Sequence, residues 1–279
     1  MPADKPILIT GCSSGIGRAT AIRLGRAGSH PVYATARNLE DIAELERDGC
    51  RLLQLDVTDE GSMADAVATV EKEHGSVHAL VNNAGYGEYG AIEEVPMDRV
   101  RTQFETNVFG LARMCQLVLP AMREAGRGRI VNMSSMGGRL TFPMGGYYHA
   151  SKYAVEAISD ALRFEVRPFG LFVSLVEPGL IQTAFSTTAS QSLTAVGHPT
   201  GPYARLRERL DESIGQTYTN NLLAASADAV ASAVAKAVRV RRPRSRYVVT
   251  PVARGLITLR RTMPDRAWDL ALRTQFGNG

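Results

Sequence analysis

The chain is poor in cysteine and has no long apolar run, and both absences restrict what it is. Cys12, Cys50 and Cys115 are the only cysteines in 279 residues, and they lie far apart without ligand-type spacing. That argues against a disulfide framework, excludes a cysteine metal site and fits a reducing compartment. No stretch stays apolar for the roughly 18 residues that a membrane-spanning helix needs. The opening MPADKPILITG lacks the basic region and long apolar run of a signal peptide. A cytoplasmic protein with no metal centre and no integral membrane segment is therefore expected. Internal repeats, low-complexity segments and linkers are also missing, which leaves one domain over residues 1–279. A hydrophobic fraction of 44% gives a chain of this length a substantial core.

The net charge of +4 conceals an asymmetry. Residues 236–279 carry eleven Lys or Arg against two Asp, which leaves the preceding 235 residues at −5. The run Arg239, Arg241, Arg242, Arg244 and Arg246 reads as a solvated helix end and loop, because no aromatic residue interleaves with the charges until Tyr247. No nucleic-acid partner is expected.

What is present is an alternation of short apolar runs with helical periodicity. Pro6 to Thr10 reads as a strand and leads into Gly11-Cys12-Ser13-Ser14-Gly15-Ile16-Gly17-Arg18, with helical spacing from there to Ala27. A glycine-rich turn at a helix N-terminus lets backbone N–H groups approach a pyrophosphate. No Gly-Lys-Ser/Thr ending follows, so this is not a Walker-type phosphate loop. The second strand, His30 to Ala36, ends in Ala36-Arg37 where an acid would mark a free ribose 2′-hydroxyl. A guanidinium there suits a 2′-phosphate, and NADP(H) is the expected cofactor. A helix is expected over Leu39 to Asp48. Arg51 to Val57 is a third strand that brings Asp56 and Val57 beside the adenine; Asp56 alternatively caps the next helix. Val77 to Val81 is a fourth, ending in Asn82-Asn83-Ala84-Gly85, whose amides can tie neighbouring strands and shape a cleft floor. A long helix from about Met97 to Ala125 contains Asn107 in apolar surroundings, where its amide needs partners. Gly128 to Ser135 is a fifth strand. Tyr148 and Lys152, four residues apart at the start of a long helix, share a face, and a cation one turn from a phenol favours phenolate.

Taken in order, Thr10-Gly11-x-x-x-Gly15-Ile16-Gly17, Asn82-Asn83-Ala84-Gly85, Asn107, Ser135, Tyr148-x-x-x-Lys152 and Pro178-Gly179-x-x-x-Thr183 resemble the motif set of the short-chain dehydrogenase/reductase family. The match spans roughly residues 5 to 183, and its internal flavour is similar to the branch of 17β-hydroxysteroid and retinol dehydrogenases. The resemblance implies an α/β fold, a Rossmann-type doubly wound seven-stranded parallel sheet flanked by helices. It implies Tyr148 as general acid/base, Lys152 (with the positive nicotinamide ring) lowering its pKa and bonding the nicotinamide ribose, Ser135 holding the substrate oxygen and Asn107 tying a water to Lys152. Ser135 is taken over Ser134 by the family interval, and Tyr148 over Tyr147 because only Tyr148 has Lys four residues on. Pro178, Gly179 and Thr183 would lie under the nicotinamide. The substrate lid is expected at about 180–225, an unperiodic Thr-, Ser- and Gly-rich segment. Leu180, Phe185, Tyr203 and Leu206, with Leu140, Phe142 and Pro143, are its candidate pocket walls, all facing a hydrophobic carbonyl or alcohol. A helix from Ser226, a seventh strand over Arg246 to Thr250 and a helical extension at about 251–279 complete the chain. A homodimer or homotetramer through the helices of Asn107 and Tyr148 is implied. The alternatives are a nucleotide-binding regulatory or scaffold protein, or an epimerase or dehydratase, on the same scaffold.

Overall fold

A computed structural model describes residues 5–219 and 224–277. Seven apolar segments form one parallel sheet: β1 (Ile7–Ile9), β2 (Val32–Ala36), β3 (Cys50–Gln54), β4 (Ala79–Asn82), β5 (Gly128–Met133), β6 (Leu171–Glu177) and β9 (Arg246–Val248), in the order β3-β2-β1-β4-β5-β6-β9. Strand side chains alternate between faces. Ile7, Ile9, Val32 and Ala34 accordingly pack toward α1 (Gly15–Arg26) and α8 (Ala227–Arg239). Leu8 and Tyr33 pack toward the opposite layer of α2 (Glu60–His74), α4 (Leu111–Glu124) and α5 (Gly146–Glu165). Every residue of β1 and β2 is buried, as strands covered on both faces require. Each such Ile or Leu contributes about 1.5–3 kcal/mol.

The chain winds from β1 outward through β2 to β3, then returns to place β4 on the other side of β1. Strand order reverses there, and the crevice outside the carboxyl ends of β1 and β4 is where an open α/β sheet binds ligands.

Several expectations change. Leu39–Asp48 winds as a tighter 3₁₀ helix. The long helix over Met97 to Ala125 is split into α3 (Met97–Phe104) and α4 by a π turn at Glu105–Gly110, which holds Asn107; such turns are frequent at functional sites. The segment expected to lack regular structure contains α6 (Ala184–Ala195) and α7 (Ala204–Thr219). Residues 220–223 of that segment lie outside the described residues. A two-residue pair, β7 (Ile181–Gln182) with β8 (Ala225–Ser226), clasps the base of this insertion. The C-terminal extension is a helical hairpin, α9 (Pro251–Thr262) and α10 (Asp265–Phe276), broken at Pro264. Arg246, from the basic run, is an internal tie between strand and helix. It pairs with Asp160 at 2.6 Å, Glu156 at 3.0 Å and Glu177 at 2.9 Å.

Candidate active site

A cleft of about 1070 Å³ runs over the carboxyl ends of the strands. Its floor is built by the β1–α1 turn and the end of β4. Gly11 has φ +71°, and a Cβ on it would stand 2.8 Å from the Ala84 Cα, so only glycine permits this approach. Asn83 fastens the two strand ends by donating from Nδ2 to the Thr10 and Gly11 carbonyls, both at 3.0 Å. Thr10 Oγ1 in turn accepts from the Asn83 and Ala84 N–H groups at 3.0 Å. One layer below, Asn82 donates to Asn132 at 3.0 Å and Asn132 to Ser159 at 2.9 Å. The α1 N-terminus has no side-chain cap and no acid in its first turn, which leaves its N–H groups available to an anion.

Arg37 is exposed at the lip of the cleft just beyond β2, with no ion-pair partner among the described residues. Asp56 lines the same end, and its Oδ1 accepts from Thr58 N at 2.9 Å and Thr58 Oγ1 at 2.7 Å. The α2 cap is Asp59, which accepts from Ser62 N at 2.7 Å, so the capping role considered for Asp56 falls to its neighbour. Ser13, Ser14, Gly15, Ile16, Val57, Gly85, Pro178, Gly179 and Thr183 also line the cleft. Gly17 is buried beneath the turn, where a Cβ would meet the Gly11 carbonyl. Thr183 Oγ1 caps α6, accepting from Phe185 N at 3.3 Å.

The four residues expected to carry chemistry converge at the centre. Ser135 follows β5 and Tyr148 stands on the first turn of α5, with the Ser135 hydroxyl near enough to the phenol to lower its pKa. Lys152, one turn on, is buried and donates from Nζ to the Met133 carbonyl at 2.9 Å. Asn107 is fully buried, with its amide committed to the chain: Oδ1 accepts from Tyr86 N at 3.0 Å, and Nδ2 donates to Tyr86 O at 2.8 Å and Ser151 Oγ at 3.1 Å. Its side chain thus anchors the residue next to Lys152. Ser134 Oγ points away from Tyr148 and donates to Glu156 Oε1 at 2.5 Å.

Lys152 Nζ stands 6.0 Å from the Tyr148 ring centroid. Burial pushes Tyr148 up to about 12, against the pull of Ser135. Burial likewise pushes Lys152 down to about 8, while Glu156 acts in the opposite sense.

Beyond Tyr148 the cleft turns apolar. Phe142, Pro143, Leu180 and Phe185 line it as expected, whereas Leu140 does not: it is fully buried behind the Met136–Gly138 turn. Tyr203 and Leu206 pack outside the cleft against the cluster of Ala91, Met144 and Leu193, and the Tyr203 hydroxyl bonds Glu93 at 2.6 Å. The sequence reading missed Tyr89, whose ring stacks on Tyr148 at 5.6 Å, and His149, whose Nδ1 bonds the Gly137 carbonyl at 3.1 Å. In the helical extension, Leu256, Leu259, Trp268 and Leu272 stand in the cleft wall, together with Phe276. The spacing Trp268, Leu272, Phe276, four residues apart on one helix face, was the available signal.

A family model described as short chain dehydrogenase matches residues 5–194. The chain is 38% identical over 269 residues to the 3-ketodihydrosphingosine reductase of Bacteroides thetaiotaomicron, with 96% of each chain covered. It is 34% identical over 273 residues to the NADPH-dependent 3-dehydrocapnine reductase of Ornithobacterium rhinotracheale, with 94% of each covered. A short-chain dehydrogenase crystal structure from Streptomyces avermitilis superposes with a TM-score of 0.78 at 32% identity, over 98% of this chain and 97% of that one.

Proposed function

Because this chain belongs to the short-chain dehydrogenase/reductase family of oxidoreductases, we propose that it is an NADP(H)-dependent enzyme that interconverts a hydrophobic ketone or aldehyde and its alcohol, with Tyr148 as the proton-transferring group. The observation that carries this reading is the position of Tyr148. It stands beside Ser135, where the polar cleft floor meets the apolar chamber.

The floor fits a dinucleotide. Backbone replaces side chains at Gly11, the uncapped α1 N-terminus suits a pyrophosphate, and Arg37, without an ion-pair partner among the described residues, offers a charge for a 2′-phosphate. That one relative is named NADPH-dependent agrees with this choice. Asp56, Val57, Asn83, Ala84 and Gly85 would line the adenosine and ribose path, and Pro178, Gly179 and Thr183 the nicotinamide end. When bound, NADPH supplies the hydride.

The chain's own residues manage the oxygen. Ser135 donates a hydrogen bond to the substrate carbonyl and steadies the negative charge that develops there. Tyr148 holds its proton, because burial favours the neutral phenol, and so it can act as the acid that protonates this oxygen during reduction. Lys152 stabilises the phenolate left behind, and Asn107 fixes the helix turn that carries Lys152. The apolar chamber excludes water and selects a hydrophobic substrate; the reductase named for a 3-keto compound among the relatives is in keeping with a ketone. Exposed Phe109, Tyr153 and Phe164 on the α4–α5 side support assembly into a homodimer or homotetramer there. No described helix is long and apolar enough to cross a membrane. A panel of ketones followed by NADPH absorbance tests the reading: consumption that disappears in Tyr148→Phe is expected, and equal consumption by both proteins contradicts it.

A further inference from the structure

The apolar chamber reaches the molecular surface at the hairpin. Leu259 of α9 and Ala271 and Gln275 of α10 line the cleft and are also exposed to solvent, at the far end of the cleft from Ser13, Arg37 and Thr58. The rim there is unusual in two respects. Leu270 stands beside it with 61% of its surface in water and Leu259 with 46%. Both helices also turn arginines outward. Arg254 and Arg261 lie two helical turns apart on α9, as do Arg266 and Arg273 on α10, and the spacing of Arg266, Leu270 and Arg273 sets them on one face. The hairpin holds two acids, of which Asp265 is taken by Arg260 at 2.6 Å. Arg261, Arg266 and Arg273 have no acidic partner among the described residues.

The rest of the basic tail is elsewhere. Arg239 to Arg244 precede β9 and lie at the amino end of the parallel sheet, where Arg129 bonds the Val240 carbonyl at 2.6 Å. The cleft is at the opposite end. Among the described residues of the basic tail, those of the hairpin alone combine positive charge and exposed leucine with side chains that line the chamber.

We propose that the α9–α10 hairpin is a docking face for an anionic lipid surface, and that a hydrophobic substrate enters the chamber between Leu259 and Ala271 without crossing bulk water. The proposal rests on the reading of the chamber as a hydrophobic carbonyl site. Arginines on the outward faces are attracted to acidic headgroups, and Leu270 and Leu259 reach into the interfacial layer, as on interfacial amphipathic helices.

Co-sedimentation of the full chain with vesicles tests this, using phosphatidylcholine alone and phosphatidylcholine mixed equally with phosphatidylglycerol. Binding at least about tenfold tighter to the anionic vesicles, weakening as salt is raised, is expected. The triple variant Arg261→Glu/Arg266→Glu/Leu270→Ser, at residues that do not line the cleft, should lose this binding while melting and titrating with NADPH like the parent. Equal binding to both vesicles, no binding at low salt, or full binding by the variant would overturn the proposal. So would duplex DNA competing as well for Leu270→Ser as for the parent, which would identify a nucleic-acid face. A protein that reduces soluble ketones without binding vesicles sinks this inference alone; one that binds vesicles but reduces no ketone sinks the enzymatic reading.

Discussion

At one end of the cleft the wall is backbone and short polar side chains, supplied by a few contiguous stretches: Gly11 to Ile16, Arg37, Asp56 to Thr58 and Asn83 to Gly85. At the other end it is Phe142, Phe185, Leu210, Leu256, Trp268 and Phe276, drawn from five separate segments after β5. The nucleotide end is specified by backbone geometry that almost any substitution disturbs. The chamber is specified by volume and polarity, which many side-chain sets can satisfy. Tyr148 belongs to both ends, since its ring packs on Tyr89 and Phe185 while its hydroxyl meets Ser135.

If this division is right, substitutions should separate the two ends. The largest effect is expected at their junction. Tyr148→Phe should lower kcat by about 10³-fold, within the range for general acid catalysis, and leave the NADPH dissociation constant within about twofold. A parallel loss of nucleotide binding would place Tyr148 in the floor. Next is Arg37→Asp, which should move the NADPH-to-NADH preference in kcat/KM by about ten- to a hundredfold, as expected for a charge-assisted contact to phosphate; an unchanged ratio removes Arg37 from the nucleotide end. Leu256→Asn should raise KM for a hydrophobic ketone about tenfold with NADPH affinity unchanged, and a change in nucleotide affinity would blur the boundary.

The smallest effect concerns the wall behind the site. Glu177 is buried beside Glu156, and both burial and that like charge raise its pKa well above the ordinary carboxylate range, against Arg139 and Arg246. The folded protein therefore binds a proton that the unfolded chain releases above about pH 4.3, and stability falls as pH rises from there through the raised folded value. Relative to Glu177→Gln, the parent should lose a few degrees of thermal stability between mildly acidic and mildly alkaline buffer. A slope that survives the substitution assigns the effect to another group.

The same contrast explains what could be read from the amino acids alone. Seven strands were legible because each is a short apolar run between helical segments, and the nucleotide end because its residues sit in short windows with demanding geometry. The chamber was less so. Leu140 follows Ser135 closely in the chain, yet the turn at Met136–Gly138 carries it inward to full burial. In α6, Ala184–Ala195, serine and threonine obscure any apolar period, and tertiary packing rather than propensity holds the helix. The spacing of Tyr148 and Lys152 shows that they share a face; it does not show that burial raises the phenol's affinity for its proton.

The central claim, a proton-donating tyrosine at the seam between a nucleotide floor and an apolar chamber, is tested most directly by NADPH consumption over a series of methyl ketones of increasing chain length. Each added methylene should raise kcat/KM about threefold to fourfold, as burial of about 0.8 kcal/mol per CH₂ implies, until the chamber is filled. Rates that are flat with chain length, or no NADPH consumption with any member, would contradict it.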